Sequence, residues 1–353
     1  LLALRAELQE SLSRRRLVDS QPSSMPVLRA MMLVAIVAAG DVHIHTPLVW
    51  SSKLSERVGS SVYLKMDALQ PGGSFKARGI GRLCTHFRDE GVTSLVSSSC
   101  ANAGMAVAVA GRALGVEATI VASDVDRECR LLDTFRQLGA NVVLHGAEWN
   151  DADAHARSLG ASQGAAYVEM FDHPLIFEGH ASMIDEIYAD RKGEPPGCIV
   201  LSVGGGGLLS GVCTGLQRVG WGAVPLYACQ SERCGLLDAA LKNGYRPTAT
   251  HIISADGHDL GTRTVAQVAV DFSQELDVRS LIVSDKATLA SVAEFLDDER
   301  VMVEPLCAVA LAALYGQPEL FKQFESVVVI VCGGSLCSLD EVTAWRDKAL
   351  GPD

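Results

Sequence analysis

The run Gly72–Gly79 places a lysine, Lys76, where the sequence pattern changes from strand to helix. Before it, Ser61–Ala68 alternates apolar and polar residues as a strand does, and after it apolar residues recur at helical spacing. Ser74 is therefore predicted to cap this helix, with Lys76 in its first turn. Positive partial charge at a helix N-terminus disfavours an ammonium group, so a neutral Lys76 amine could form a Schiff base with an aldehyde. Taken alone, the segment favours a solvated lysine in a glycine-rich turn, and the other motifs decide against that interpretation.

Four consecutive glycines follow the apolar segment Ile199–Val203 and precede a helical pattern. Their N–H groups can converge on one point, and the helix dipole adds positive potential, so a phosphate could bind without a lysine. A dinucleotide-binding GxGxxG fails because the sixth position is Leu209, and a P-loop fails because the Gly-Lys-Ser/Thr ending is missing. The alternative is a tight turn, which rarely needs four glycines. We therefore predict a phosphate-binding loop built from Gly204, Gly205, Gly206 and Gly207.

Three other segments carry polar groups next to predicted elements. The turn Ser97–Gly104 has hydroxyls and an amide that suit a carboxylate or phenolate oxygen, although an ordinary loop with Asn102 as the helix N-cap is the favoured interpretation of that turn alone. Cys332 ends the last strand, where its thiol could meet a ring nitrogen or be a buried structural cysteine. His180 lies at a predicted helix start, which makes it a capping-region residue or a site residue.

The composition narrows the class of protein. A chain of 353 residues with 48% hydrophobic residues exceeds one ordinary core, so two domains are expected. The net charge of −12 argues against nucleic acid and anionic membranes as partners. The ten cysteines include no CxxC pair, and most lie in apolar runs where cysteine acts as a small hydrophobe. This usage favours a reducing compartment, and we expect a cytoplasmic protein.

Residues 1–40 are set aside as an N-terminal extension of unassigned status. The basic segment Arg14–Arg16 precedes the apolar run Ala30–Gly40, an order that is typical of a signal peptide. The apolar run is too short to span a bilayer.

From residue 41 onward, short apolar strands alternate with amphipathic helices, including predicted helices at Arg127–Leu138 and Gly179–Ala189. This alternation predicts an α/β fold with two doubly wound parallel-sheet domains. The small domain is predicted over 76–172, inserted into a large domain made of 41–75 plus 173–353.

A Schiff-base lysine, a glycine cradle, an asparagine-bearing loop and a polar strand end, in this order, resemble the serine/threonine dehydratase family of fold-type II pyridoxal-phosphate (PLP) enzymes. The resemblance extends from about Thr46 to Lys348 and points to the liver-type L-serine dehydratase branch. It is carried by Ser61–Asp67, Gly73–Lys76, Phe171–Asp172, Pro174–Ile176, Glu178–Ser182, Ser202–Leu209, Val303–Pro305 and Val328–Ser335.

The resemblance implies a role for each candidate residue. Lys76 would hold the cofactor covalently and later carry the Cα proton. Phe75 would pack on one face of the pyridine ring, and Asn102 would donate to its phenolate oxygen. The phosphate would bind Gly204–Gly207, and Cys332 would face the pyridine nitrogen. The substrate carboxylate would be held by the loop Ser99, Cys100, Ala101 and Asn102.

The resemblance also implies a tryptophan synthase β-like architecture, pyridoxal 5'-phosphate as cofactor, a homodimer, and an amino-acid substrate. The implied reaction is β-elimination, which converts L-serine into pyruvate and ammonia and L-threonine into 2-oxobutanoate and ammonia. It would make the chain an L-serine (and L-threonine) ammonia-lyase, with no nucleic-acid or membrane partner.

Four positions depart from the family pattern, and one of them is Leu336, which replaces a polar residue after Gly333-Gly334-Ser335. Ala101 stands where the substrate loop has glycine, so its Cβ is expected to tilt the loop amides. Asp259 replaces a small residue against the second ring face. Gln230 replaces an acidic residue and keeps only a neutral oxygen for a monovalent cation. That cation, K⁺, would lie among Gly204, Gln230, Cys234, Leu260 and Thr262.

Two alternatives stay open at this point. One is another enzyme of the same fold, similar to a serine racemase or a cysteine synthase. The other is a catalytically impaired paralogue that binds PLP without turnover, an interpretation that Ala101 and Asp259 motivate.

Overall fold

The computed structural model describes residues 42–244, 254–255, 258–259 and 264–351, with backbone alone for 254–255 and 258–259. The extension predicted over residues 1–40 lies outside the described residues. Strands and helices alternate along the described chain. The strands are β1 Leu48–Ser51, β2 Ser61–Lys65, β3 Ser94–Ser97, β4 Glu117–Ala122, β5 Asn141–Leu144, β6 Ala166–Tyr167, β7 Cys198–Ser202, β8 Leu226–Ser231, β9 Ser254–Ala255, β10 His258–Asp259, β11 Val278–Val283 and β12 Ser326–Ile330.

The helices pack on both sides of these strands. They are α1 Ser52–Val58, α2 Lys76–Asp89, α3 Asn102–Leu114, α4 Leu131–Gln137, α5 Trp149–Gln163, α6 Pro174–Asp190, α7 Gly207–Arg218, α8 Leu236–Asn243, α9 Gln267–Glu275, α10 Asp285–Glu299, α11 Pro305–Gly316 and α12 Leu339–Leu350.

The larger sheet has six strands in the order β1-β2-β12-β7-β8-β11. Its central strands β7 and β12 are buried along their whole length, as their continuous apolar sequences require in a parallel sheet covered on both faces. The pairs from β2 to β11 are parallel, but β1 runs antiparallel to β2. Strand β1 was not among the predicted strands, and it pairs antiparallel because residues 52–60 are too few for a crossover connection.

The smaller sheet has four parallel strands in the order β5-β4-β3-β6, and all of them fall between β2 and β7 in the sequence. Each sheet has its own hydrophobic core, and the core of the smaller sheet includes Ile80, Leu83 and Cys84 of α2. The predicted α/β fold with two sheets is confirmed. The domain boundaries drawn around residues 41–75, 76–172 and 173–353 stay a prediction.

Two predicted helices have different bounds in the structure. Helix α6 begins at Pro174, before the predicted start at Gly179, because proline occupies its first turn and the His173 side chain accepts the Leu175 N–H. Helix α4 begins at Leu131, after the predicted start at Arg127, because residues 124–126 instead form a short 3₁₀ turn closed by a capping box.

A buried ion cluster joins the start of α2 to α6. Arg78 is fully buried and donates to both oxygens of Asp67, at 2.7 and 2.9 Å, and to both oxygens of Glu186, at 2.6 and 2.7 Å. Lys65 on β2 adds a second cation to Glu186 at 2.6 Å. Since the charges are mutually paired and hydrogen-bonded, this cluster fixes the orientation of the helix that begins at Lys76.

All ten cysteines, each within the described residues, are free thiols. Within the part of the chain that the structure describes, we find no helix whose length and apolar character would let it cross a membrane.

Candidate active site

Lys76 is the first residue of α2 and lies between two aromatic rings. Its Nζ donates to the carbonyl oxygen of Met170 at 2.6 Å, and stands 5.4 Å from the ring centre of Phe75 and 5.9 Å from that of Phe171. Burial lowers the pKa of Lys76 to about 8, although nearby Cys332 and Glu304 act in the opposite direction. A large fraction of this amine is therefore available as a neutral nucleophile or base at mildly alkaline pH.

The predicted cap at Ser74 is wrong. The N-cap of α2 is Phe75, whose backbone is already helical, and no side chain caps this end. Ser74 instead pairs in a β-bridge with Gly333, and the Phe75 N–H donates to the Cys332 carbonyl at 3.0 Å. The segment before Lys76 is thus tied to the end of β12 by main-chain bonds, which takes Ser74 away from the helix end.

The loop Gly204–Gly207 connects β7 to α7, as predicted. Within the described residues, the amides of these four glycines have no main-chain carbonyl acceptor outside regular elements. A Cβ at Gly205 would lie 2.7 Å from the Phe171 ring, and Gly206 has a φ of +87°. Since the Phe171 ring is also next to Lys76 Nζ, it connects this loop to the lysine.

Asn102 is held by two groups that are far away in sequence. Its Nδ2 donates to Glu304 Oε1 at 2.6 Å, and its Oδ1 accepts the Ser335 N–H at 3.0 Å. The N-cap of α3 is Ala101, so the alternative role of Asn102 as N-cap is wrong. The amide of Asn102 is thus fixed in direction by Glu304 and Ser335, and its predicted bond to a phenolate oxygen stays a prediction.

Cys332 lies two residues beyond β12 and is buried. A hydrogen bond with the Cys307 thiol, together with burial, raises the pKa of Cys332 well above its usual range. Its thiol is therefore neutral at physiological pH. This is the state that a near-neutral partner for a ring nitrogen requires.

The predicted substrate loop, Ser99–Asn102, is compact and packs closely against the first turn of α3. The Ser99 hydroxyl accepts the Ala101 N–H at 3.2 Å, and a Cβ at Gly104 would lie 1.9 Å from the Ser99 carbonyl. Ala101 itself has φ −122° and ψ −156°, an extended conformation open to any residue. Alanine therefore fits this backbone without strain, and the expectation that its Cβ tilts the loop amides stays a prediction.

Gln230 is buried and uses both ends of its amide. Its Nε2 donates to the Cys234 carbonyl at 3.1 Å and the Val203 carbonyl at 3.5 Å, and its Oε1 accepts the Asp238 N–H at 2.9 Å. The oxygen that was predicted to serve a cation is therefore already bonded. Of the remaining predicted cation ligands, Leu260 and Thr262 lie outside the described residues, as does the side chain of Asp259.

His180 lies in the middle of α6, so its predicted place at a helix start is wrong. The ring is fully buried and packs 4.8 Å from the Phe75 ring. Burial lowers the pKa of His180 well below its usual value, and the positive charges of Lys76 and Arg78 act in the same direction. The His180 imidazole is therefore neutral, and it packs against the Phe75 ring.

Three site residues carried no role in the sequence analysis: Met170 and Phe171, which contact Lys76, and Glu304, which contacts Asn102. Glu304 was detectable as a carboxylate inside an apolar segment, directly before Pro305. Its partner Asn102 is 202 residues away, so no local pattern could pair them.

Glu304 gives the site a pH-dependent group. Burial raises the pKa of Glu304 to about 7, against an opposing hydrogen bond from Asn102. The folded protein therefore keeps the proton that the unfolded chain loses near pH 4.5, so the contribution of Glu304 to stability is full below pH 4.5 and falls up to pH 7. From the displacement of its pKa, this loss is about 3 kcal/mol.

We expect Glu304→Gln to remove that decrease, because glutamine cannot ionise. Between pH 5 and pH 7, the free energy of unfolding of the cofactor-free protein, measured by denaturant, should fall by about 2 kcal/mol less in the variant than in the parent, because part of the loss already occurs below pH 5. The exposed Glu319→Gln variant is the control and should behave as the parent protein does. Equal pH dependence in parent and Glu304→Gln would contradict the assignment of a buried neutral carboxyl.

Comparison with known proteins agrees with this geometry. The sequence matches the family described as pyridoxal-phosphate dependent enzyme over residues 41–333. It is 42% identical over 322 residues to the L-serine dehydratase/L-threonine deaminase of Homo sapiens, covering 89% of this chain and 97% of the human protein. The fold is similar to a fungal L-serine ammonia-lyase from Rhizomucor miehei, with a TM-score of 0.82 and 32% identity, covering 88% of this chain and 99% of that one.

A second solved structure, the processed form of threonine deaminase isoform 2 from Solanum lycopersicum, has a TM-score of 0.78 and 28% identity, covering 94% of this chain and 91% of that one. The chain therefore belongs to the pyridoxal-phosphate-dependent enzymes, with the fold-type II architecture. Its relatives within that family include proteins named L-serine dehydratase/L-threonine deaminase.

The residues of the site fit pyridoxal 5'-phosphate. The buried Lys76 amine with a pKa of about 8 suits the aldehyde, and the glycine loop at the start of α7 offers amides to a phosphate. A Cβ at Gly205 or Gly207 would meet Phe171 at 2.7 Å, so side chains are excluded from this cradle. Glu304 Oε2 is buried without a hydrogen-bond partner among the described residues, which leaves a polar atom next to Asn102 able to accept a further hydrogen bond.

Proposed function

We propose that this chain is an L-serine ammonia-lyase that also accepts L-threonine. The overall reactions convert L-serine into pyruvate and ammonia, and L-threonine into 2-oxobutanoate and ammonia. The observation that carries this proposal is the buried, easily deprotonated amine of Lys76, next to Phe171 and the glycine loop. When bound, pyridoxal 5'-phosphate supplies an aldehyde that condenses with amines and a ring that withdraws electrons from Cα.

Lys76 is the proposed acid–base group. Its Nζ takes the proton from the substrate Cα and holds it close to the reacting atoms, where the low pKa of the amine makes the return of the proton easy. The Met170 carbonyl accepts a hydrogen bond from Nζ and thereby orients the amine. The rings of Phe75 and Phe171 exclude water from its surroundings.

The other residues are proposed to bind and orient. The amides of Gly204, Gly205, Gly206 and Gly207 bind the phosphate, and Phe75 packs on the ring. Asn102 donates to the phenolate oxygen, for which Glu304 and Ser335 hold its amide in position. The neutral thiol of Cys332 faces the ring nitrogen without a full proton transfer. The substrate carboxylate is proposed to bind the loop Ser99, Cys100, Ala101 and Asn102.

The direct test is incubation of the PLP-loaded protein with L-serine and, separately, L-threonine. We expect stoichiometric ammonia and 2-oxoacid from each. Formation of D-serine without ammonia would favour the racemase alternative, and cysteine formation from an activated serine and sulfide would favour the synthase alternative. A visible cofactor absorbance band without any of these products would identify the impaired paralogue.

We further propose that the Gln230 amide takes the place of a monovalent cation. Its Nε2 points at the Cys234 and Val203 carbonyls, which are groups of the kind that K⁺ binds. The rate of ammonia release should then change less than about twofold when K⁺ is replaced by tetramethylammonium, since a neutral donor already satisfies these oxygens.

Gln230→Glu should make that rate dependent on K⁺, because it restores a negative charge there, whereas the exposed Gln217→Glu should not. A parent enzyme that needs K⁺ would contradict this proposal.

A cytoplasmic location and a homodimer complete the proposal. Ten free thiols are typical of a reducing compartment, and this supports the location. At the edge of the larger sheet, Val49 and Trp50 of β1 are exposed at 41% and 56%, which supports a subunit contact at that strand. Light scattering of the purified protein would measure its mass in solution.

A further inference from the structure

Two cysteines from different connecting segments lie close together, and one of them belongs to the predicted substrate loop. Cys100 lies in the loop between β3 and α3, and Cys129 lies just before α4. The Cys129 Sγ donates to the Cys100 carbonyl at 3.4 Å, and the two thiols also hydrogen-bond to each other. Both residues are half-buried and therefore reach solvent, unlike the buried pair Cys307 and Cys332.

We propose that Cys100 and Cys129 form a reversible disulfide that controls the substrate loop. They are adjacent in space and 29 residues apart, so the bond would close a loop of the size found in ordinary disulfides. Cys100 stands between Ser99 and Ala101, so its side chain cannot be tied to Cys129 without restraining the loop that is proposed to hold the substrate carboxylate. This control rests on the proposed function, whereas the bond itself does not.

The environment distinguishes the two sulfurs. The hydrogen bond from Cys100 lowers the pKa of Cys129 to about 7, and the Leu131 amide and the Arg130 guanidinium act in the same direction. Cys129 is therefore the attacking thiolate and Cys100 the resolving thiol.

The chemistry needs a low-molecular-weight disulfide such as oxidised glutathione. The Cys129 thiolate attacks one sulfur of that disulfide, so a mixed disulfide forms and one glutathione leaves as thiolate. Cys100 then loses its proton and attacks Cys129 Sγ, which forms the intramolecular disulfide and releases the second glutathione. In total, two protein thiols are oxidised and one glutathione disulfide is reduced to two glutathione thiols.

A second contact links the segment that contains Cys129 to Ser335, which follows β12 of the larger sheet. The next residue, Arg130, donates to the Ser335 carbonyl at 2.9 Å, and the Ser335 N–H donates to Asn102 Oδ1 at 3.0 Å. A displacement of the Cys129 segment would therefore be transmitted to both ends of the substrate loop. We expect the oxidised enzyme to have a raised KM for L-serine, with a rate at least fivefold lower at subsaturating substrate.

The experiment treats PLP-loaded protein with oxidised glutathione, then blocks remaining thiols and maps the peptides by mass spectrometry. A peptide pair joined through Cys100 and Cys129, with a KM for L-serine that rises and returns after dithiothreitol, is the expected result. Cys129→Ser should keep the parent rate and lose the response. Cys337→Ser, which removes another half-buried thiol, should keep both the parent rate and the response to oxidised glutathione.

Absence of the joined peptide would overturn the proposal, whether or not the protein turns over L-serine. A joined peptide with an unchanged KM for L-serine would show that the disulfide forms but does not control the substrate loop. If the protein released no ammonia even when reduced, the proposed function would fail while the peptide map still decided the disulfide.

Discussion

Lys76→Ala should lower the rate of ammonia release from L-serine by at least ~10³-fold, because it removes the group that is proposed to move the Cα proton. Lys65, the lysine of the buried ion cluster around Arg78, is paired with Glu186 and is not free to take over this role. Lys76→Arg should be equally inactive, because a guanidinium stays protonated and cannot act as a base. The measurement is the steady-state rate with saturating L-serine and PLP.

The exposed Lys53→Ala variant is the control for this prediction and should keep the parent rate. If the Lys76→Ala protein retained a tenth or more of the parent rate, Lys76 would not be the acid–base group. The circular dichroism spectrum of each variant shows whether the comparison is made between folded proteins.

Asp67→Asn should destabilise the fold by about 3 kcal/mol or more, because it leaves the positive charge of buried Arg78 only partly balanced. Asp67 is fully buried and accepts two bonds from Arg78 and one from Thr46 Oγ1 at 2.7 Å. Arg78 is two residues after Lys76, so the same substitution should also loosen the helix that positions the amine. Denaturant unfolding measures the first effect.

The matched control is Asp277→Asn, which removes the same charge from the exposed pair with Arg279. Such surface pairs contribute between about 0 and 1 kcal/mol, so this variant should unfold close to the parent midpoint. If both substitutions lowered the free energy of unfolding equally, burial of the Arg78 cluster would not determine how much it stabilises the fold.

The parts of the fold that were predictable are those where the signal is local. The order of strand, glycines and helix at residues 199–218 is contained in one short segment, and the structure follows it. Helix α11 gave no usable pattern because it is buried on all sides, and apolar residues then lose their periodicity. The start of α6 depended on a histidine cap, a signal outside the usual set of capping residues.

The candidate site was predictable to the same extent. Lys76 and the glycine loop were found because each stands at a strand-to-helix connection. Ser74 was assigned as a cap because its type suits one, but the β-bridge to Gly333 takes it elsewhere, and that partner is far away in sequence. The pairing of Asn102 with Glu304, and the contact between Cys100 and Cys129, likewise depend on tertiary structure.

The central claim is that Lys76 carries the cofactor. The measurement that tests it most directly is borohydride reduction of the PLP-loaded protein, followed by proteolysis and mass spectrometry of the lysine-containing peptides. A reduced phosphopyridoxyl group on Lys76, and on no other lysine at stoichiometric yield, is the predicted result. Unmodified Lys76, or the same group attached at another lysine, would contradict the assignment of the active site.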